Sequence, residues 1–239
     1  IMHARSLLFV PGNRPERFDK AVATGADMVV IDLEDAVGPS EKDMAREAAL
    51  SYLAASGHTH IGLRINSLET PEYTGDIAAL QKAKAKLPFI MIPKPHSRAD
   101  IDRLDRDLPD SCGAIAPVME SGAAMLNAAE MFAHPRLTLA LFGGVDYSAD
   151  IGSSLSWDAL LYARSHLAAC AAMHGVHVFD VPYLDVRDSE GCEMETRRVK
   201  DIGIPARSAI HPAQIAPIHK VYTPTEDEIA AAECLLAAF

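Results

Sequence analysis

Apolar residues gather in eight short runs along the chain, at residues 6–10, 28–33, 60–65, 89–92, 114–119, 138–142, 176–181 and 206–210. Each run is short and nearly continuous in apolar character, the pattern of a parallel strand buried on both faces. The stretches between them carry apolar residues at helical spacing. They predict helices over 14–23, 41–55, 73–84, 98–107, 123–132, 158–174, 189–201 and 212–221, with an Ala-rich ninth over 226–238. Asn13 with Glu16 reads as a capping box, and Ser40 precedes Glu41 and Asp43 as a second helix start.

Eight strands, each followed by a helix, are the count of a (β/α)8 TIM barrel. An open doubly wound sheet uses the same alternation. Its nucleotide-binding forms place a Gly-x-Gly-x-x-Gly or Walker sequence after a strand, and this chain has neither. No Pro/Gly/Ser-rich linker divides the sequence. The expectation is therefore one barrel domain over residues 1–239, with a terminal helix at about 226–238.

Composition narrows the function classes. With 49% hydrophobic and 23% charged residues, the chain is neither disordered nor fibrous. The 22 Lys and Arg against 33 Asp and Glu give a net charge of −11, which disfavours nucleic acid and anionic lipid as partners. A local cationic pocket for a small anion remains compatible with that balance. Cys112, Cys170, Cys192 and Cys234 lie far apart without a CxxC pair, which fits reduced thiols in the cytoplasm. No run approaches the ~18 apolar residues of a membrane span, and no basic-then-apolar signal opens the sequence.

In a barrel the chemistry collects at the C-terminal ends of the strands. There the sequence places Pro11-Gly12-Asn13-Arg14, Asp32-Leu33-Glu34-Asp35, Arg64-Ile65-Asn66, Pro93-Lys94-Pro95, Glu120-Ser121, Gly143-Gly144-Val145-Asp146 and His211-Pro212. Glu120 and Asp146 fall at the ends of adjacent strands, whose backbones run about 5 Å apart. Two carboxylates without nearby Cys or His suit Mg²⁺; the alternative is that each caps the helix that follows it. Arg64 is suited to a bidentate pair with a substrate carboxylate, or to a structural ion pair with Asp32 or Glu34. Asp35 is a candidate for proton transfer, and Asp32, deeper in the barrel, is structural. Lys94 reads either as a Schiff-base amine or, preferably, as the ion-pair partner of the carboxylates. His211 is a helix cap rather than a base. The Ser153-Ser154-Leu155-Ser156 loop lacks a Gly-x-Ser-x-Gly context, which excludes a serine nucleophile.

Seven ordered motifs carry a family likeness. They are Arg5-Ser-Leu-Leu-Phe-Val-Pro-Gly-Asn-Arg-Pro-Glu-Arg-Phe18, Val30-Ile-Asp-Leu-Glu-Asp-Ala-Val37, Leu63-Arg-Ile-Asn66, Pro93-Lys94, Val118-Met-Glu-Ser121, Gly143-Gly-Val-Asp146 and Ile210-His-Pro-Ala-Gln-Ile215. Together they resemble the citrate lyase β-subunit-like group of the HpcH/HpaI aldolase superfamily, which includes citryl-CoA, malyl-CoA and citramalyl-CoA lyases. The resemblance implies a (β/α)8 barrel assembled as a homotrimer, with Mg²⁺ on Glu120 and Asp146. It implies that Arg64 and Glu120 contact the keto-acid part of the substrate, and that Asp35 belongs to an acid/base cluster. A coenzyme A or acyl-carrier thioester would be the second ligand, with its phosphates near Arg14 and the free N–H groups beside it.

The reaction implied is Mg²⁺-dependent cleavage of a 3-hydroxy-3-carboxyacyl-CoA into acetyl-CoA and a 2-keto acid such as pyruvate or oxaloacetate. The base would be Asp35 with Glu34, or a water held by the metal. A citramalyl-CoA-like substrate is preferred, because the sequence shows no extra cation for a third carboxylate. Family members commonly continue into a C-terminal lid with a Gly-x-Met-Ile-Asp-like stretch, and this sequence stops at Phe239. Two rival expectations follow: a Schiff-base aldolase through Lys94, and a non-catalytic, lid-less subunit or binding module.

Overall fold

The computed structural model describes residues 3–83 and 85–237. Its strands are β1 (Ser6–Pro11), β2 (Met28–Asp32), β3 (Ile61–Arg64), β4 (Leu87–Ile92), β5 (Cys112–Met119), β6 (Leu139–Phe142), β7 (His177–Asp180) and β8 (Ala206–Ala209). They pair in parallel in chain order, and β8 returns to β1 to close a (β/α)8 TIM barrel. All eight apolar runs are strands, with bounds that differ from the expected ones by a residue or two.

Residues alternate between two buried layers, because successive side chains point to opposite faces of a strand. Leu7, Val30, Phe89, Met91, Ala116, Val118, Leu139, Leu141 and Phe179 fill the barrel interior. Ile31, Leu63, Ile90, Ile115 and Phe142 face outward onto the helices, where Leu50, Leu80, Leu104 and Leu167 complete the second layer. Gly62 is small because Phe89 is large: a Cβ at Gly62 would lie 2.3 Å from the Phe89 ring.

Several helix starts depart from the sequence expectations. Asn13 and Glu16 form no capping box; the segment opens as a 3-10 turn, Pro15–Arg17, and continues as the short helix Phe18–Val22. Arg14 holds the N-cap position, while the Asn13 amide donates to Glu41 at 2.9 Å. Ser40 does not cap either, since Pro39–Glu41 forms a second 3-10 turn before Lys42–Ser56. In both places a proline in the first turn, with φ already set, takes over the start. Residues 123–132 break into Gly122–Leu126 and Ala128–Phe132 at Asn127, whose amide donates to the His96 carbonyl at 2.8 Å. Arg98–Asp107 and Ser189–Asp201 match their expected bounds, the former with a Ser97–Asp100 capping box.

The expected ends at Lys84 and Ala238 lie outside the described residues; the helices there are Pro71–Lys82 and Glu226–Ala237. One helix, Gly144–Ile151, was not expected at all. None of the described helices is long and apolar enough to cross a membrane.

Behind β7 and β8 lies a buried ion network. Arg164 holds Asp180 through Nε at 2.9 Å and Nη2 at 3.1 Å. Arg207 donates to Glu195, to the Val181 carbonyl and to Thr196. Buried charges are tolerated only when paired and hydrogen-bonded, and here the bonds tie down the Val181–Pro182 segment that walls the barrel mouth.

Candidate active site

Asp32 ends β2 almost completely buried. Its carboxylate accepts the N–H groups of Glu34 at 2.9 Å and Ala36 at 3.1 Å, which folds the acidic segment back over the barrel. Register sets Asp32 level with Arg64 on β3, and the guanidinium grips it bidentately, Nε and Nη2 each at 2.7 Å. Nη1 of Arg64 lies 2.9 Å from Glu34 Oε2 and 3.7 Å from Asp35 Oδ2. The structural ion pairs considered for Arg64 therefore both exist, and Arg64 still lines the cavity. Burial works against its charge, but Asp32 and then Glu34 outweigh that, so the guanidinium is held above its ordinary range.

Sequence reasoning missed the residues that fix this segment from behind. The Lys42 ammonium donates to the Leu33 and Glu34 carbonyls and to Asn66 Oδ1, each at 2.7 Å. Asp76, buried, accepts the Asn66 N–H at 2.8 Å and Nδ2 at 2.7 Å, and Arg46 Nε at 2.7 Å. These partners come together only in the folded chain, and no spacing in the sequence announces them.

Glu120 follows β5, buried, and its Oε1 accepts the Lys94 N–H at 2.8 Å. Burial, then the neighbouring Glu34 and Asp146 charges, push its carboxyl up to about 8. Burial also raises Glu34, with Asp35 adding to the effect and Arg64 and Lys94 opposing it. Asp146 does not end a strand, as the sequence suggested; it sits in the first turn of Gly144–Ile151, near the positive end of that short helix. Gly143, just before it, leaves room for Glu120.

Lys94 follows β4 and reaches the cluster with its ammonium, 3.1 Å from Glu34 Oε1, 3.5 Å from Asp146 Oδ2 and 4.0 Å from Asp35 Oδ1. Burial lowers its tendency to stay charged, but Glu34 and Asp35 prevail and raise it above the ordinary lysine value. A Schiff base needs a neutral amine, so this environment opposes the Schiff-base aldolase reading. Arg14 is exposed on the loop after β1 and is not among the residues lining the cavity. His211 caps the Pro212–Gln214 turn, accepting the Ala213 N–H at 3.1 Å.

The barrel mouth holds a cavity of about 440 Å³. Asp32, Asp35, Arg64, Glu120 and Asp146 are its charged lining, and Phe9, Val118, Leu141, Val181, Leu184 and Ile210 are among its apolar lining. Among the described residues no group of three or more His, Cys, Asp or Glu side chains forms a complete metal cage. Mg²⁺ does not require one, since it is usually bound through one or two carboxylates with waters and substrate completing the octahedron. The all-oxygen Glu120–Asp146 pair, where burial and like charge disfavour a second negative charge, fits such an ion.

The pattern of the HpcH/HpaI aldolase/citrate lyase family matches residues 5–212. A (3S)-malyl-CoA thioesterase of Cereibacter sphaeroides is 35% identical over 98% of this chain and 82% of its own length. The citrate lyase subunit beta of Leuconostoc mesenteroides is 34% identical, again over 98% of this chain and 82% of its own. The crystal structure of CitE from Mycobacterium tuberculosis in complex with magnesium, acetoacetate and coenzyme A superposes with a TM-score of 0.84 at 30% identity, covering 98% of this chain and 86% of that one. With a closed barrel, a carboxylate-lined mouth and a match over nearly all of its length, this chain belongs to the HpcH/HpaI aldolase/citrate lyase family.

Proposed function

We propose that this protein is a Mg²⁺-dependent carbon–carbon lyase that cleaves a 3-hydroxy-3-carboxyacyl-CoA thioester to acetyl-CoA and a 2-keto acid. The observation that carries the reading is that Glu120, Asp146 and Arg64 line one cavity together with apolar side chains. The magnesium, acetoacetate and coenzyme A bound by the M. tuberculosis relative support it. Glu120 and Asp146 would hold the ion, which when bound supplies Lewis acidity to the substrate hydroxyl and carboxylate oxygens.

Arg64 would stabilise the negative charge on the oxygen that becomes the keto group. Glu34 and Asp35 would take the hydroxyl proton. Glu34, raised by burial, is closer to matched for that transfer near neutrality than an ordinary carboxylate. As the carbon–carbon bond breaks, its electron pair passes to the thioester as an enolate, and protonation of that carbon gives acetyl-CoA. Arg14, exposed on the loop after β1 and outside the cavity lining, would meet coenzyme A phosphates.

Among the described residues lining the cavity Arg64 is the one cation, and it is already paired with Asp32 and Glu34. That favours an alkyl substituent on the carbinol carbon, as in citramalyl-CoA, over the additional carboxylate of citryl-CoA. A cytoplasmic homotrimer is the assembly we expect.

The test is a coupled assay offering citramalyl-, citryl- and malyl-CoA with Mg²⁺, scoring keto acid and free thiol separately. A lyase releases keto acid and leaves acetyl-CoA, whereas a thioesterase releases free coenzyme A thiol without keto acid. Glu120→Ala and Asp146→Ala should each abolish Mg²⁺-dependent turnover. Near-normal activity of either variant in EDTA would refute the assigned metal role.

A further inference from the structure

Lys94 lies between Pro93 and Pro95 and is the one non-glycine residue among those described with positive φ, 53°. A left-handed backbone is unfavourable for a residue with a side chain, and a following proline makes helical-type geometry harder still. Such strain persists where the surroundings over-determine it. Here they do so twice, because the main-chain N–H reaches Glu120 Oε1 while the ammonium of the same residue reaches Glu34 and Asp146. One residue therefore touches carboxylates from the segments that follow β2, β5 and β6.

Five carboxylates converge here, Asp32, Glu34, Asp35, Glu120 and Asp146. Arg64 is committed chiefly to Asp32 and Glu34. The charge facing Asp146 is that of Lys94, at 3.5 Å.

We propose that Lys94 is a tethered counter-cation of the acidic cluster, a positioning residue that holds Glu34 and Asp146 in place and yields Asp146 to an arriving divalent ion. This rests on the lyase reading above and deepens it, since it assigns the control of metal affinity to one lysine. Two cations sharing one carboxylate repel each other, so the ammonium weakens metal binding while it keeps Glu34 aligned. The backbone contribution is separable from the charge. Lys94→Gly keeps access to positive φ and loses the whole side chain with its charge, whereas Lys94→Gln loses the charge and keeps a shorter, neutral side chain.

The experiment is calorimetric titration of the full metal-free chain with MgCl₂. Lys94→Gln and Lys94→Gly should bind Mg²⁺ about three- to tenfold more tightly than the parent, given partial screening at this half-exposed position. Lys94→Arg, which restores the charge, should return to the parent affinity. In turnover, Lys94→Gln should lower kcat with little change in KM for the thioester, because Glu34 is then held on one side only, by Arg64. Unchanged or weaker Mg²⁺ binding in a Lys94→Gln variant that melts like the parent overturns the inference and leaves the lyase reading standing. Absence of Mg²⁺ binding in the parent overturns both.

Discussion

Gly143→Ala is the smallest change that tests whether Glu120 must lie against bare backbone. An ideal Cβ at Gly143 would stand 2.5 Å from Glu120 Cβ, 2.7 Å from Glu120 Oε2 and 2.9 Å from Val118 Cγ1. The backbone there, at φ −90° and ψ 67°, is open to alanine, so the substitution adds crowding without backbone strain. Carbon atoms in contact settle ~3.5–4.0 Å apart, which requires Glu120 to retreat by roughly 1 Å. Overpacking of this kind costs about 1–3 kcal/mol of stability, and each kcal/mol lowers the Tm of a chain this size by ~2–4 °C. A misplacement of about 1 Å at a reacting centre costs on the order of 10²-fold in rate. Gly143→Ala should therefore melt a few degrees lower, bind Mg²⁺ more weakly by calorimetry and lose about 10²-fold in kcat/KM. Gly38→Ala, whose new Cβ would meet nothing closer than 3.7 Å, serves as the control and should behave like the parent. A Gly143→Ala protein that binds Mg²⁺ and turns over within twofold of the parent would refute the reasoning.

Arg64→Lys should lower kcat by about 10²-fold or more and destabilise the fold by about 1–3 kcal/mol, because an ammonium cannot span both Asp32 oxygens and also reach Glu34. Steady-state rates and urea unfolding check both, and retention of half the parent kcat would contradict the assignment. A pH dependence follows from Glu120, whose carboxyl rises from 4.5 to about 8 in the fold. The folded state keeps that proton longer than the unfolded one, so its contribution is full below about pH 4.5 and fades as pH rises through about 8. The range corresponds to at most about 5 kcal/mol, read as the difference between parent and Glu120→Gln in urea unfolding at several pH values in EDTA. The stability of the parent minus that of Glu120→Gln should fall as pH rises through this range; if it stays flat, or rises with pH, the Glu120 carboxyl is not held protonated in the metal-free fold.

The barrel was legible because its strands are buried on both faces, and a strand of that kind must be apolar at nearly every position, as Val29, Val30 and Ile31 of β2 are. Once the strands were in place, the rule that barrel chemistry sits at their C-terminal ends brought Asp32, Glu34, Asp35, Arg64, Lys94, Glu120 and Asp146 to one mouth. What stayed hidden depends on partners distant in sequence or on backbone geometry. Arg14 follows β1 as closely as Asp35 follows β2, yet the 3-10 turn at Pro15 leaves it exposed outside the cavity. Gly143-Gly144 reads as a turn, so the helix carrying Asp146 went unseen. Its glycines answer to other residues, Gly143 to Glu120 and Gly144 to Leu160, Phe142 and Val181, with which a Cβ would make contacts of 3.3 Å. Lys94 is the sharpest case. Pro95 argues for an extended residue before it, whereas the fold holds Lys94 at φ 53° because Glu120 claims its N–H and Glu34 and Asp146 claim its ammonium. Sequence pattern reports what a residue prefers in isolation, and at this mouth the preference is overruled by three carboxylates that reach it from the segments after three different strands.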